Sequence, residues 1–361
     1  MKIAIVVGTR PEIIKMSPLI RDVISRGIDF FLIHTNQHYS FEMDRIFFED
    51  LKLQEPDFNL NVGSASHGKQ TGIMLDGIEK VFYDIHPDIV FVQGDTNTVL
   101  SGALAASKMN IKIGHIEAGL RSFDRSMPEE TNRIVADHIS DYLFAPTENS
   151  KRNLLAEGIP EEIIFVTGNT IVDAVYQNLE ISKQGRNTLE CFGLNNDEYF
   201  LATVHRAENT DKKERLSGIL AGFKEIYQEF NLPVIFPAHP RTLKMIMEFN
   251  LEIPDGTKLI DPLGYLDFLQ LESAAKLILT DSGGLQEEAC ILGVPCITLR
   301  DNTERPETVE LGANVIAGVD SNLVNLVHKM TGSLVKWDNP YGDGNASKRI
   351  INIAIHQKVQ V

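Results

Sequence analysis

The sequence predicts an α/β protein made of two doubly wound parallel-sheet domains. Three observations carry that prediction. The chain has 361 residues, too many for one ordinary core and suited to two. Its β-branched apolar runs alternate with amphipathic helical stretches, and nearly every run ends in turn residues. Continuous apolar strands alternating with helices mark a parallel sheet covered on both faces.

In the first half the runs and their ends are "IAIVVGTRP", "FFLIHTNQH", "DIVFVQGDTN", "IKIGHIEAG", "YLFAPTENS" and "IFVTGNT". In the second they are "YFLATVHRAEN", "PVIFPAHPR", "KLIDPLG", "LILTDSGG" and "CITLRDN". Between the halves, "SKQGRNTLECFGLNNDE" (182–198) is polar and weakly periodic, which suits a linker. The expected division is an N-terminal domain over 1–181 and a C-terminal domain over 199–343. A last helix, about 344–361, follows "NPYGDG" and is expected to pack back on the N-terminal domain. Ligands of doubly wound sheets bind outside the carboxyl ends of the strands, so the run ends are expected to line one cleft.

Composition narrows the function. Lys+Arg of 34 against Asp+Glu of 50 leaves a net charge of −16, which argues against a nucleic-acid partner. A small anionic ligand remains compatible, because local arginines and helix N-termini reverse the field inside a cleft. The start, "MKIAIVVGTRPEII", reads as a buried first strand rather than a signal peptide. No stretch approaches the ~18 apolar residues of a membrane span, so no membrane partner is expected. Cys191, Cys290 and Cys296 form no CxxC pair and no disulfide framework, which fits a reducing cytoplasm.

The run ends carry the chemistry. In "GTRPE" (8–12), Gly8 permits a tight turn and Pro11 suits a first helical turn, where its missing N–H has no partner to lose. Arg10 then stands at the positive end of a helix, either as a phosphate ligand or as a solvated loop arginine. Lys15, a turn further on, reaches the same anion or water. The spacing is not GxGxxG, so no nicotinamide cofactor is indicated. "LTDSGGLQEEACILGVPCI" (279–297) is more specific. Ser282, Gly283 and Gly284 let backbone N–H groups approach a diphosphate at a helix start. Glu288, a turn later, can accept from two ribose hydroxyls; the plain alternative is a glycine-rich turn with a solvated Glu287–Glu288 pair. "TVHRAEN" places His205 and Arg206 at another strand end, and "RDNTERPE" adds Arg300 and Arg305.

Asp95 in "VQGDTNT" reads equally as a helix N-cap or as a group that does chemistry. In "HIEAGLRSFDRSMPEETNR" (115–133), Ser126 and Glu129 have capping-box spacing, and Glu129 and Arg133 stand four apart on one helical face. That structural reading suffices for Glu129 and Arg133 but leaves Glu117, at the end of a strand, unexplained. No HExxH, HxH or cysteine-rich spacing suggests a metal, and no GxSxG elbow suggests a serine nucleophile.

Taken together, "GTRPEIIKM", "QGDTNT", "HIEAGLRS", "MPEETNR", "FAPTE", "VTGNTIVDA", "LTDSGGLQEEA", "RDNTERPE" and "NPYGDG" resemble the non-hydrolysing UDP-N-acetylglucosamine 2-epimerases, in order and over nearly the whole chain. The resemblance implies two facing Rossmann-like domains, the glycosyltransferase-B architecture, and a homodimer. It implies interconversion of UDP-GlcNAc and UDP-ManNAc through loss of UDP to 2-acetamidoglucal, with no net redox and no cofactor. By the same resemblance Asp95, Glu117, Glu129 and His205 are the chemical residues. Arg10, His205 and the 282–284 backbone would meet the diphosphate, Glu288 the ribose, and the segment from Leu263 to Phe268 the uracil. Lys15, Arg133 and Arg305 would complete the charged surroundings.

One departure concerns regulation. Members activated by their own substrate read "QHR" and "HRRE", where this chain reads "QHY" (37–39) and "HRAE" (205–208). Tyr39 and Ala207 remove two cations, so such activation is expected to be absent or altered. The rivals are a glycosyltransferase, a hydrolysing epimerase, an epimerase for a diacetamido uronic acid sugar, and a sugar-nucleotide sensor without chemistry.

Overall fold

The first strand shows how the sequence builds the sheets. β1 (Lys2–Val7) has no polar side chain after Lys2, and Ile3 to Val7 are all buried. A strand covered on both faces needs such a run, since both alternating sets of side chains leave water. The computed structural model describes residues 1–36, 41–318, 322–332 and 337–356, and they form two compact units: Met1–Gln177 with Tyr341–Val361, and Asn178–Pro340.

In the first unit β1 is joined by β2 (Asp29–His34), β3 (Phe58–Asn59), β4 (Ile89–Gln93), β5 (Lys112–Ile116), β6 (Tyr142–Ala145) and β7 (Ile164–Val166). The order is β3-β2-β1-β4-β5-β6-β7, and every pairing is parallel. Its core joins Val6, Val90 and Val92 of the sheet to Met74, Ile78 and Phe82 of the His67–Ile85 helix and to Val99 and Ala103 of the Asn97–Lys108 helix. Removing a buried ring such as Phe82 costs ~3–5 kcal/mol in lost transfer energy and cavity. The order reverses between β1 and β4. Chain direction therefore diverges there and opens a crevice at the carboxyl ends.

The second unit repeats the plan. β8 (Phe200–Thr203), β9 (Val234–Pro237), β10 (Thr257–Ile260), β11 (Leu277–Thr280), β12 (Cys296–Thr298) and β13 (Asn314–Ile316) run parallel in the order β10-β9-β8-β11-β12-β13. Its reversal lies between β8 and β11. β3 and β13 are absent from the apolar runs read off the sequence; each is short and carries an asparagine, Asn59 or Asn314, in place of an unbroken apolar run.

Residues 182–198 differ from the expected linker. They carry a Thr188–Phe192 helix, and Thr188 N–H and Oγ1 donate to Gln270 Oε1 (3.0 Å) and Asp267 Oδ1 (2.8 Å). Leu194 is buried in the core of the second unit. The segment looked polar because its surface side is polar, while its few apolar groups and backbone are anchored. The chain instead passes between units at 177/178 and 340/341. The Ala346–His356 helix packs on the Arg10–Ser25 helix of the first unit. Asp173 holds its start, accepting from Ala346 N–H (3.1 Å), Ser347 N–H (2.9 Å) and Ser347 Oγ (2.5 Å).

Candidate functional site

In the first unit the site begins at the end of β5. Glu117 follows Ile116 with φ +67°, a left-handed conformation that a non-glycine residue adopts at a cost. The turn is fixed from both sides: Gly94 N–H donates to Ile116 O (3.0 Å) and Ala118 N–H to Phe144 O (3.2 Å). This backbone carries the carboxylate into a set of donors. Oε1 accepts from Lys15 Nζ at 2.5 Å and from Asn169 Nδ2 at 2.9 Å, and Oε2 accepts from Gln93 Nε2. Gln93 ends β4, Asn169 follows β7 and Lys15 lies in the second turn of the Arg10–Ser25 helix. The result is a buried carboxylate, 6% exposed, held in one orientation.

The charged stretch around Glu117 divides into two parts. His115 Nδ1 lies 2.6 Å from Asp137, whose other oxygen accepts from Arg121 (2.7 Å) and Gly119 N–H (3.2 Å). Arg121 also pairs with Glu157 at 2.6 Å. Burial alone would lower the His115 imidazole, but the Asp137 charge and hydrogen bond outweigh it and raise it. Burial likewise raises Asp137, and its two cationic partners pull it below the usual carboxylate range. This network fixes the backbone on both sides of Glu117 and is structural.

Its second part differs from the expected capping. The Pro128–Ile139 helix starts with Met127 as N-cap and no side-chain cap, so Ser126 and Glu129 form no capping box. Ser126 instead donates N–H and Oγ to Asp124. Arg133 pairs with Glu130 (2.8 Å) and with Asp95, not with Glu129. Glu130 rather than Glu129 is the buried member, 2% exposed, and it also accepts from Ser122 and Phe123 N–H. Burial raises its carboxyl, and those donors with Arg133 bring it below the ordinary value. Glu129 is half-buried in the same first turn. Asp95 is not the cap of the Asn97–Lys108 helix; Thr96 is, accepting from Thr98 and Val99 N–H. That leaves Asp95 held by Arg133, with its side chain 29% exposed.

At the end of β1, Arg10 opens the Arg10–Ser25 helix with Pro11 behind it, and its guanidinium lies over the Phe47 ring at 5.6 Å. Glu12 is 3% exposed and turns back to accept from Gly8 N–H (2.5 Å), Thr9 N–H (2.9 Å) and Thr96 Oγ1. Burial is the main cause that pushes its carboxyl up to about 7, against the pull of these donors.

The second unit presents a matching set at its own reversal. His205 follows β8, and its Nδ1 lies 2.8 Å from Asp281 after β11. Asp281 also accepts from His205, Arg206 and Asn209. Burial raises it, and those donors hold it below the ordinary carboxylate range. An ionised Asp281 fixes the imidazole tautomer with the proton on Nδ1 and leaves Nε2 as the acceptor. The His205 side chain is 46% exposed. Ser282 caps the Gly283–Leu292 helix, accepting from Leu285 N–H at 3.4 Å. Gly283 and Gly284 thus occupy its first turn, whose N–H groups have no partner within the helix.

Glu288, one turn on, is 8% exposed and accepts from Tyr265 Oη at 2.9 Å. It is not the solvated group of the plain reading. Nearby Glu272 is fully buried, and burial, then the Glu288 charge, pushes it well above the carboxylate range. Arg305 pairs with Glu287 at 2.8 Å, while Arg300 binds Glu208 and Glu304. Leu263, just before the Tyr265–Ala274 helix, and Phe268, within it, are partly buried against the core of the second unit.

Gln93, Asn169, Asp281, Glu12 and Tyr265 were not singled out from the sequence. Gln93, Asn169 and Asp281 lie inside the quoted run ends, where any polar residue at or after a strand end is a candidate; Glu12 and Tyr265 each follow one directly. Residues 37–39, including Tyr39, lie outside the described residues, and Ala207 is exposed at the start of the Ala207–Thr210 helix. Among the described residues no three His, Cys, Asp or Glu side chains gather as for a metal, and no helix is long and apolar enough to cross a membrane.

A family model described as UDP-N-acetylglucosamine 2-epimerase matches residues 23–355. The UDP-N-acetylglucosamine 2-epimerase of Methanococcus maripaludis is 58% identical over 99% of this chain and 99% of its own. The UDP-2,3-diacetamido-2,3-dideoxy-D-glucuronate 2-epimerase of Pseudomonas aeruginosa is 42% identical over 97% of this chain and 98% of its own. A crystal structure of Methanocaldococcus jannaschii UDP-GlcNAc 2-epimerase in complex with UDP-GlcNAc and UDP matches with a TM-score of 0.86 and 58% identity, over 99% of this chain and 100% of that one.

Proposed function

The chain belongs to the UDP-N-acetylglucosamine 2-epimerase family, and on that premise we propose that it interconverts UDP-GlcNAc and UDP-ManNAc by inverting C2 of the sugar. The observation that carries the reading is the Glu117 carboxylate, locked by Lys15, Gln93 and Asn169 at the carboxyl end of β5. The C2 hydrogen is not alpha to a carbonyl, so simple deprotonation is prohibitive. As the bond from the anomeric carbon to UDP breaks, its electron pair leaves with UDP and the adjacent C2–H becomes acidic. Removing that proton forms the C1–C2 double bond of 2-acetamidoglucal. Protonation on the opposite face of C2 and return of the UDP oxygen to C1 complete the inversion without net redox.

Glu117 moves the C2 proton. Asp95 and Glu129 share proton handling or hold sugar hydroxyls, with Arg133 fixing Asp95. His205 meets the junction of phosphate and sugar, its tautomer set by Asp281, while Arg10 and the 282–284 backbone N–H groups stabilise the charge on departing UDP. Glu288 accepts from the ribose, and Leu263 and Phe268 flank the uracil. Lys15 and Arg305 add positive charge. On this reading the protein works as a cytoplasmic homodimer, for which light scattering should give twice the chain mass, and supplies ManNAc-type precursors for glycan or polysaccharide synthesis.

Incubation with UDP-GlcNAc in D2O, followed by NMR, tests the reading. Epimerisation yields UDP-ManNAc with deuterium at C2 of both sugars. Free ManNAc accumulating with UDP indicates a hydrolase, and unchanged unlabelled substrate overturns the epimerase reading. The Pseudomonas aeruginosa relative favours one second reading, a diacetamido uronic acid substrate; a higher kcat/KM for that sugar nucleotide in the same assay selects it.

A further inference from the structure

Two of the proposed site's turns are joined by one side chain. Gly8 and Thr9 form the turn that delivers Arg10, and Asp95 with Thr96 forms the turn after β4. β1 and β4 are neighbours at the sheet reversal. Glu12 lies between the turns, buried, with Oε2 on Gly8 and Thr9 N–H and Oε1 on the Thr96 hydroxyl. The Thr96 oxygen already accepts from Thr98 and Val99 N–H at its helix start, so its own proton points to Glu12. All these donors face a carboxylate that needs no proton. Protonating Oε1 would set two hydrogens against each other, and turning the Thr96 hydroxyl away would strip the link between the turns.

We propose that ionised Glu12 is a positioning residue for the epimerase chemistry, tying the Arg10 turn to the Asp95 turn, and that its protonation loosens the tie. The inference rests on the reading of Asp95 and Arg10 as site residues. Asp95 is the charged group whose field reaches Glu12 and opposes its ionisation. Arg10 and Lys15 share its helix, and around Gly8 the neighbours are the Thr35 and Thr98 hydroxyls, hydrogen-bonded to each other at 2.8 Å. With the carboxyl pushed up to about 7, the tie forms and fails within the neutral range.

The test is the pH profile of kcat/KM for C2–H exchange in the full-length protein. The wild type should show a rising limb near pH 7. Glu12→Gln keeps an acceptor for Gly8 and Thr9 but turns an amide donor on the occupied Thr96 oxygen. It should lose that limb and fall about 10- to 100-fold at the alkaline plateau, as small misplacements of catalytic groups do. Thr96→Val, which removes one donor to the anion, should move the limb to higher pH, and Thr96→Ser should restore it.

Thermal unfolding supplies a readout apart from activity. Folded Glu12 holds its proton more tightly than the unfolded chain, so this stabilisation is present below about 4.5 and lost as pH rises through about 7. Glu12→Gln should therefore gain stability relative to wild type above pH 7. A Glu12→Gln profile with the wild-type limb and plateau overturns the inference, as does a Thr96→Val limb that stays in place. The second outcome decides if the glutamine variant does not fold. Asp95→Asn separates the two readings. If it exchanges at the wild-type rate, the role given to Asp95 fails. If it is impaired while Glu12→Gln is not, the Glu12 inference fails alone.

Discussion

At the scale of single residues, orientation decides more than charge. Glu117 is one of several acids in its stretch, yet it alone combines a left-handed backbone with donors from three elements. Glu117→Gln should lower C2–H exchange about 10²- to 10⁴-fold, the usual worth of a positioned proton-transfer group, while calorimetry shows UDP binding retained. Asp281→Asn tests the other unit. Without an anionic partner the His205 tautomer is no longer fixed, so kcat should fall with little change in KM for UDP-GlcNAc. The same scale shows the limits of sequence reading. Glu129 and Glu130 differ by one position and about 100° around a helix, so spacing could not decide which one reaches Arg133. Asp95 and Thr96 posed the same ambiguity as caps, and only the hydrogen bonds assign the role to Thr96.

At the scale of elements, the loop after β5 depends on buried charge. Gly119, φ +80°, has no room for a side chain, since an added Cβ would meet Ser150 O at 2.3 Å. Gly119→Ala should therefore disturb Glu117 and depress activity together with stability, read by thermal unfolding and the exchange assay. The His115–Asp137 pair gives this loop a pH signature. Asp137 lies below its ordinary value, so its contribution is lost as pH falls through the folded pKa. His115 lies above its own, so its contribution is complete below about 6.5 and lost as pH rises through the folded pKa. Melting temperature should peak between the two, and Asp137→Asn should flatten both limbs. None of this was visible in the sequence, because His115 and Asp137 are far apart in the chain and meet only through β5 and the next helix. The alternation of strands and helices, by contrast, depends on local runs, and it located the larger strands of both sheets.

At the scale of the whole molecule, the sequence conveyed two sheets, but not where the chain changes units. The polarity of 182–198 suggested a boundary there, whereas Thr188 and Leu194 anchor that segment within the second unit. The return of the C-terminal helix has an energetic consequence. Asp173→Ala removes the acceptor for three donors at the helix start and should cost about 1–3 kcal/mol, measured by urea unfolding. Ending the chain after Pro340 should lower the calorimetric transition of the first unit and leave that of the second in place.

The interrupted first unit also sets an order of events during synthesis. Residues 178–340 are contiguous and can close as soon as they leave the ribosome. The segment that completes the first unit is made only after residues 178–340. Until it arrives, the face of the Arg10–Ser25 helix that receives it stays uncovered, and the nascent chain holds a finished second unit beside an unfinished first.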